Sequence, residues 1–197
     1  MRPDPSHAIL DAATALAAEG GFDNVRQRDV AERAGVSLAT LYRRYRSKED
    51  LLAAALERKT RAFELTLEAR PAAGPGVRER LAELFRRMTA EMLDEPLYAR
   101  AVIRAVSSGD PQISGRVAAY HGRIAGLVIA AMRGRGSLDF MDAHHQPPTE
   151  AEIELASYLM QIWFACMVGW SSGMLDGATV DERVRRAIEL LAPPLGF

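Results

Sequence analysis

The stretch that decides the fold is Arg26-Gln-Arg-Asp-Val-Ala-Glu-Arg-Ala-Gly-Val-Ser-Leu-Ala-Thr-Leu-Tyr-Arg-Arg-Tyr45. Its pattern predicts two short helices, about Gln27–Ala34 and Leu38–Tyr45, joined by a tight turn. Gly35 supplies the left-handed residue that such a turn needs at no steric cost. Ser37 can cap the second helix by accepting hydrogen bonds from its free amides. Because these features agree with one another, they indicate a helix-turn-helix.

The two predicted helices have a small core of their own. Ala31 is small enough to sit where the helices cross, while Val30 and Leu41 fill the space between them. At about 100° per residue, Leu41 and Tyr45 point inward. The outward arc of the second helix then holds Ala39, Thr40, Tyr42 and Arg43.

In a helix-turn-helix the second helix enters the major groove by its N-terminal half, so we expect a double-stranded DNA partner. Arg43 is predicted to pair with guanine, and Leu38 or Ala39 to meet a thymine methyl group. Thr40 and Tyr42 carry hydroxyls that suit a phosphate. The full set of predicted DNA-contacting residues is Arg26, Arg28, Ser37, Leu38, Ala39, Thr40, Tyr42, Arg43, Arg44 and Lys48.

The charge distribution supports this prediction more than the total charge does. Residues 26–48 hold seven Arg and Lys side chains against one Asp and one Glu, a charge of +5, whereas the whole chain carries −1. A basic patch on an acidic body directs one face towards phosphate. The alternative is an ordinary solvated basic face.

Composition excludes several other classes. Hydrophobic residues make up 48% and charged residues 26% of the chain, a globular balance. The single cysteine, Cys166, fits a reducing cytoplasm. The N-terminus lacks a signal-peptide pattern, and no apolar stretch is expected to reach the roughly eighteen residues that a membrane helix needs, so we predict a cytoplasmic, nucleoid-associated protein without a membrane partner. His144 and His145 have no other ligand residues at metal-binding spacing, so no metal site is predicted, and no cofactor is predicted either. The sequence contains no nucleophile with a partnered base, so an enzyme is not predicted.

Apolar residues recur at helical spacing almost throughout, and nothing alternates with a period of two. The chain is therefore predicted to be all-α, with about nine helices. Besides the two short helices, we predict Ser6–Glu19, Ser47–Ala69, Val77–Leu93, Pro96–Ser107, Ile113–Met132, Thr149–Met174 and a last helix opened by Thr179.

The segment from about Ala8 to Leu56 resembles the TetR family of repressors. The likeness is clearest at Asp29-Val-Ala-Glu-Arg-Ala-Gly-Val-Ser37, at Thr40-Leu-Tyr42 and at Ser47-Lys-Glu-Asp-Leu-Leu52. The chain departs from the usual family residues at Val25, Ala39 and Arg46. The absence of a Thr or Ser at position 25 predicts that the second helix starts uncapped.

The resemblance implies a division of labour along the chain. Residues 1–47 would form a three-helix DNA-binding domain and residues 48–197 a helical effector-binding and dimerisation domain. In the family the last two helices form the homodimer interface and the middle helices enclose an inducer. Asp94-Glu-Pro-Leu-Tyr98 and Trp163-Phe-Ala-Cys-Met-Val-Gly-Trp170 further resemble actinobacterial repressors of steroid and lipid catabolism.

Adaptable thioethers and flat rings on the middle and late helices can line a site for an apolar ligand. The candidate ligand-binding residues are Phe85, Met88, Met92, Arg104, Tyr120, His121, Met160, Trp163 and Met167. The alternative is that the same residues simply fill the core.

The sequence thus predicts a repressor that binds a palindromic operator as a dimer and is released by a small, apolar ligand. An activator or an effector-independent regulator is the alternative, and an enzyme is a more distant one.

Overall fold

The computed structural model describes residues 4–137 and 146–192, and within these ranges it contains nine α-helices, one short 3₁₀ turn and no strand. The all-α prediction is confirmed. The helices are α1 (Pro5–Asn24), α2 (Gln27–Arg33), α3 (Leu38–Arg44), α4 (Lys48–Ala69), α5 (Val77–Asp94), α6 (Pro96–Val106), α7 (Ser114–Met132), α8 (Glu150–Ser171) and α9 (Gly177–Leu191), with the 3₁₀ turn at Pro111–Ile113 before α7.

The helices fall into two compact units. The first comprises residues 1–60 and 94–119, and the second comprises residues 61–93 and 120–197. Helix α6 and the beginning of α7 therefore belong to the same unit as α1, α2 and α3. The division at residue 47 that the sequence predicted does not coincide with the boundaries of these compact units, and as a division of function it stays a prediction.

Helix α1 provides the main packing surface of the first unit. Its face with Ile9, Ala13, Leu16 and Ala17 is buried and lies against α6. The helix was expected to end before Gly20 and Gly21, and the backbone does leave the helical region there, with φ of +70° at Gly21, before one more turn reaches Asn24.

The N-termini of α8 and α9 show one correct and one wrong prediction from local capping signals. The sequence predicted that α8 begins at Thr149, and Thr149 and Glu152 form a capping box there. The last helix does not open at Thr179 as predicted, because Asp176 caps it instead, its side chain accepting a hydrogen bond from the Thr179 backbone N–H at 2.8 Å. Both Asp and Thr are good N-caps, and the more N-terminal one adds a turn to the helix.

Helix α8 is long and apolar enough, by length and composition alone, to cross a membrane, with a mean hydropathy of 1.2 over its most apolar window. This corrects the expectation that no stretch reaches that threshold. Half of that window is buried inside the protein, and a core helix passes the same test.

A nearly buried ion pair ties the start of α8 to the end of α7. The Arg133 guanidinium donates to both carboxylate oxygens of Glu152 at 2.7 Å, and only 5% of the Glu152 side chain is exposed. Arg133 also donates to the carbonyl oxygens of Gln146 and Pro147. His144 and His145, for which no metal role was predicted, lie outside the described residues.

We expect Glu152→Gln to destabilise the protein in a pH-dependent way. The Arg133 guanidinium, helped by hydrogen bonds from Thr149, overcomes burial and lowers the pKa of Glu152 to about 2. A depressed carboxyl pKa contributes stability above its unfolded-state value and loses it as pH falls through the folded-state value. The variant should therefore be less stable than the wild type by about 2 kcal/mol at pH 7, and the difference should shrink between about pH 5 and pH 2.

Urea unfolding of both proteins at fixed concentration across this pH range measures the effect. Glu154→Gln, an exposed neighbour on the same helix, is the matched control and should leave stability nearly unchanged. A pH-independent difference for Glu152→Gln would contradict the ionic origin of the effect.

Candidate nucleic-acid interface

The turn between α2 and α3 is closed by a pair of backbone hydrogen bonds. The N–H of Val36 donates to the carbonyl of Ala31 at 3.0 Å, and the N–H of Gly35 donates to that of Glu32 at 3.1 Å. Gly35 has φ of +64°. This is the Schellman arrangement, which satisfies the last carbonyls of a helix and reverses the chain. The positive φ and these two hydrogen bonds confirm the prediction that Gly35 is the left-handed residue of the turn.

The small core predicted between the two helices is present. Val30 and Leu41 are fully buried, Ala31 is 3% exposed, and Tyr45 is 6% exposed at the end of α3. The inward face of α3 therefore packs against this core, and the opposite face is exposed to solvent.

Hydroxyl groups organise the start of α3. The side chain of Ser37 accepts a hydrogen bond from the backbone N–H of Thr40 at 3.1 Å, so it caps the helix as predicted. The two hydroxyls are 2.9 Å apart, and Arg43 donates to the hydroxyl of Thr40 at 3.3 Å. This chain of contacts lies on the exposed side of the helix. Helix α2, by contrast, has Arg26 at its N-cap position and no side-chain capping hydrogen bond, as the absence of Thr or Ser at position 25 predicted.

The outward face of α3 combines exposed apolar groups with positive charge. Leu38 is 38% exposed and Tyr42 is 48% exposed, and Ala39 and Arg43 are exposed beside them. Large apolar side chains grouped on an exposed face mark an interaction surface more often than single ones do. We call the face formed by Leu38, Ala39, Thr40, Tyr42 and Arg43 the reading face.

The flanking cations divide into two groups. Arg26 and Arg28 are exposed at the start of α2. Arg44 is tied to the start of α1, donating to the Ser6 hydroxyl at 2.6 Å and pairing with Asp4 at 3.1 Å. The Lys48 ammonium donates to the carbonyl of Phe22 at 3.2 Å and lies 4.1 Å from the centre of its ring. Arg44 and Lys48 therefore brace the first unit, and any phosphate contact would share them with these partners.

The predicted ligand-binding residues do not form one set. Buried in the second unit lie Phe85, Met88, Tyr120, Met160, Trp163 and Met167, while Met92 and His121 are half-buried there. Arg104 lies apart in the first unit. Its side chain is 60% exposed, pairs with Asp23 at 3.1 Å and covers the ring of Phe22, because α6 turns this residue towards α1 rather than inward.

Two aromatic groupings stand out in the second unit. The indole N–H of Trp163 donates to the Thr89 hydroxyl at 3.1 Å, and its ring lies 6.4 Å from that of Phe85. The His121 ring centre lies 5.7 Å from that of Tyr120 and 6.0 Å from that of Phe164, and burial lowers the pKa of His121. Thr89 was missed in the sequence, although a polar residue four positions after Phe85 on an apolar stripe is a detectable signal.

A cavity of about 540 Å³ opens between α5 and α9. Among the predicted ligand-binding residues it includes only Phe85. Its walls are formed by Ala73, Glu79, Ala82, Glu83, Phe85, Arg86, Asp181, Glu182, Val184 and Arg185. Six of these ten residues are charged, and eight of the nine predicted ligand-binding residues lie outside this set, so this cavity is not the site that the sequence predicted.

Comparison with known proteins gives a consistent result along the chain. Residues 9–55 match the family model described as bacterial regulatory proteins, tetR family, and residues 74–191 match the tetracyclin repressor-like C-terminal domain. The chain is 30% identical over 183 residues to the HTH-type transcriptional repressor KstR of Mycolicibacterium smegmatis, covering 93% of this chain and 84% of the relative. It is 31% identical over 183 residues to KstR of Rhodococcus jostii, covering 93% and 80%. These relatives are named as transcriptional repressors and not as enzymes.

Solved structures share the fold. A TetR transcriptional regulator from Rhodococcus sp. RHA1 superposes with a TM-score of 0.82 at 24% identity, covering 98% of both chains. Thermus thermophilus FadR, a TetR family repressor solved in complex with lauroyl-CoA, superposes with a TM-score of 0.68 at 20% identity, covering 94% of this chain and 92% of that one.

Proposed function

The chain belongs to the TetR family of bacterial helix-turn-helix regulators, and from this premise we propose that it represses transcription from a palindromic operator as a homodimer and leaves the DNA when a small apolar ligand binds. As a DNA-binding regulator it would work in the cytoplasm, on the nucleoid. The observation that carries the proposal is the reading face, an exposed apolar and cationic surface on a helix fixed by a Schellman turn.

The proposed contacts follow from the position of each side chain. Arg43 would pair with guanine, and Leu38 or Ala39 would meet a thymine methyl group. Thr40 and Tyr42 would bond phosphates, with Ser37 close by at the N-terminus of α3. The cations that would hold the phosphate backbone are Arg26, Arg28, Arg44 and Lys48. Because Arg26 and Arg28 are exposed, they should contribute most to the salt dependence.

The proposed homodimer forms through α8 and α9. Exposed apolar side chains on α8 fall on one arc of the helix, where Ile153 is 49%, Tyr158 52% and Val168 38% exposed. On α9, Leu190 is 69% and Leu191 45% exposed. Grouped apolar surface of this kind is typical of a subunit interface, and a two-fold dimer would present two reading faces to a palindrome.

The proposed ligand is apolar because the second unit is rich in buried methionine and aromatic side chains. Phe85, Met88, Met92, Tyr120, His121, Met160, Trp163 and Met167 are the residues that we propose line its site. Thioethers adapt to bulky apolar shapes. That Thermus thermophilus FadR was solved with lauroyl-CoA makes a long-chain acyl-CoA a reasonable first probe. A ligand that prefers one conformation of the dimer would weaken DNA binding by that difference in affinity.

Selection from random double-stranded DNA tests the proposal. The full chain should enrich a palindromic site, bind it with strong salt dependence, and be released from it by lauroyl-CoA or a steroid in fluorescence anisotropy. No enrichment and no salt-sensitive binding would reject the DNA-binding function. A site that is bound but not released by any apolar probe would favour an effector-independent regulator.

We expect Arg43→Ala to relax sequence discrimination at one base pair of each half-site. A bidentate contact with guanine contributes about 1–3 kcal/mol of discrimination. Binding to the selected site and to its single-base variants measures this effect. An equal loss on every sequence would show that Arg43 contacts only phosphate.

We expect Tyr158→Glu to weaken the homodimer, because it puts a charge into the proposed interface. Sedimentation equilibrium should show a dimer dissociation constant raised by about tenfold or more. Leu65→Glu is the matched control, since Leu65 is 65% exposed on α4 and lies outside the proposed interface. Equal effects of the two substitutions would contradict an interface at α8.

A further inference from the structure

The third residue of α7, Arg116, makes contacts that neither the sequence pattern nor the family likeness singles out. Its Nε donates to a carboxylate oxygen of Asp50 at 2.6 Å, and its Nη1 donates to Glu57 at 3.2 Å. Asp50 and Glu57 are seven residues apart on α4, which places them on the same side of that helix, two turns apart. One guanidinium therefore spans the first turns of α4.

The Asp50 carboxylate also holds the connection between α3 and α4. Its second oxygen accepts a hydrogen bond from the backbone N–H of Arg46 at 3.0 Å. The backbone N–H of Asp50 donates to the Ser47 hydroxyl oxygen at 3.0 Å. Arg46 and Ser47 stand between the end of α3 and the start of α4. Arg116 thus acts on this connection through a single shared carboxylate.

The same guanidinium lies near the end of α3 itself. Its central carbon is 5.9 Å from the ring centre of Tyr45, at the outer limit of a cation–π contact. Tyr45 is buried and terminates the helix that carries the reading face.

The surroundings favour a strong ion pair. The side chains of Arg116 and Asp50 are 35% and 14% exposed, so water screens their attraction less than at an open surface. Burial opposes the charge of Arg116, but the carboxylates of Asp50 and Glu57 outweigh it and raise the guanidinium pKa.

We infer that Arg116 is a positioning residue for DNA recognition, which fixes the α3–α4 connection through Asp50 and so sets the orientation of the reading face. The inference rests on the proposed DNA-binding function. It assigns a role in DNA reading to a residue some seventy positions after the helix-turn-helix, within the segment that matches the C-terminal family model. Without its guanidinium, Asp50 would lose its ionic partner and the connection would gain freedom.

The chain contains a matched control on the same two helices. Arg123, also on α7, donates to Glu64 on α4 at 2.8 Å, and their side chains are 33% and 18% exposed. This pair resembles the Arg116–Asp50 pair in chemistry and exposure, but it lies in the second compact unit. Arg116→Gln and Arg123→Gln therefore remove the same charge from comparable ion pairs.

The experiment compares the full-length wild type, Arg116→Gln, Arg116→Lys and Arg123→Gln in anisotropy titrations on the selected operator and on a scrambled duplex. Loss of an oriented contact network of this size should raise the operator Kd of Arg116→Gln about tenfold, with little change on the scrambled duplex. Arg116→Lys should recover part of the affinity, because it keeps the charge but has one donating nitrogen in place of the two that reach Asp50 and Glu57. Arg123→Gln should bind like the wild type.

Amide hydrogen exchange gives a second readout that needs no DNA. Residues 38–50 should exchange faster in Arg116→Gln and not in Arg123→Gln, which separates a local loosening from general destabilisation. If Arg116→Gln is too unstable to purify, Asp50→Asn should show the same exchange pattern and the same selective loss on the operator.

The outcomes are distinguishable. A wild type that binds no duplex rejects the proposed function and the inference together. A wild type that binds its operator while Arg116→Gln binds equally well rejects the inference alone. Equal losses on operator and scrambled duplex also overturn it, since they would mean that Arg116 contributes only net charge.

Discussion

The left-handed backbone at Gly35 is the constraint on which the reading face depends. With φ of +64°, it lets two N–H groups return to the last carbonyls of α2, and it leaves Ser37 free to cap α3. A residue with a Cβ atom would adopt this conformation only at a cost of about 1 kcal/mol. The turn aims α3 so that Leu41 enters the core while Tyr42 and Arg43 remain outside.

The helix-turn-helix has a small core, and arginines on later helices form ion pairs with residues of helices packed against it. These ion pairs differ in strength. The Arg104–Asp23 pair is 60% and 80% exposed, and exposed pairs contribute about 0–1 kcal/mol. The Arg116–Asp50 pair is far better shielded and shares its carboxylate with the backbone of the α3–α4 connection. For this reason we assign the orientation of the reading face to Arg116 and not to Arg104.

The core of the second unit and the proposed ligand site share one set of residues. Phe85, Trp163 and Met167 are buried as a core requires, and Trp163 has its N–H satisfied by Thr89. A ligand site built from such residues must open by displacing packed side chains, and methionines permit this at low cost because they are flexible. The cavity between α5 and α9 shares only Phe85 with the proposed ligand-binding residues.

The sequence by itself determined the helical class, the helix-turn-helix and its reading face, because these depend on contacts between residues a few positions apart. Residue type and spacing alone identify the turn residue Gly35, the N-cap Ser37 and the core residue Leu41. The start of α9 was misjudged, since Asp176 and Thr179 compete locally as caps, and Arg104 was grouped with the ligand site because no local rule says which neighbour a helix face will meet. Only the tertiary structure decided that α6 and the beginning of α7 belong to the same unit as the helix-turn-helix, and that Arg116 contacts Asp50. Such pairings join residues some sixty positions apart, and helix packing, not local pattern, brings them together.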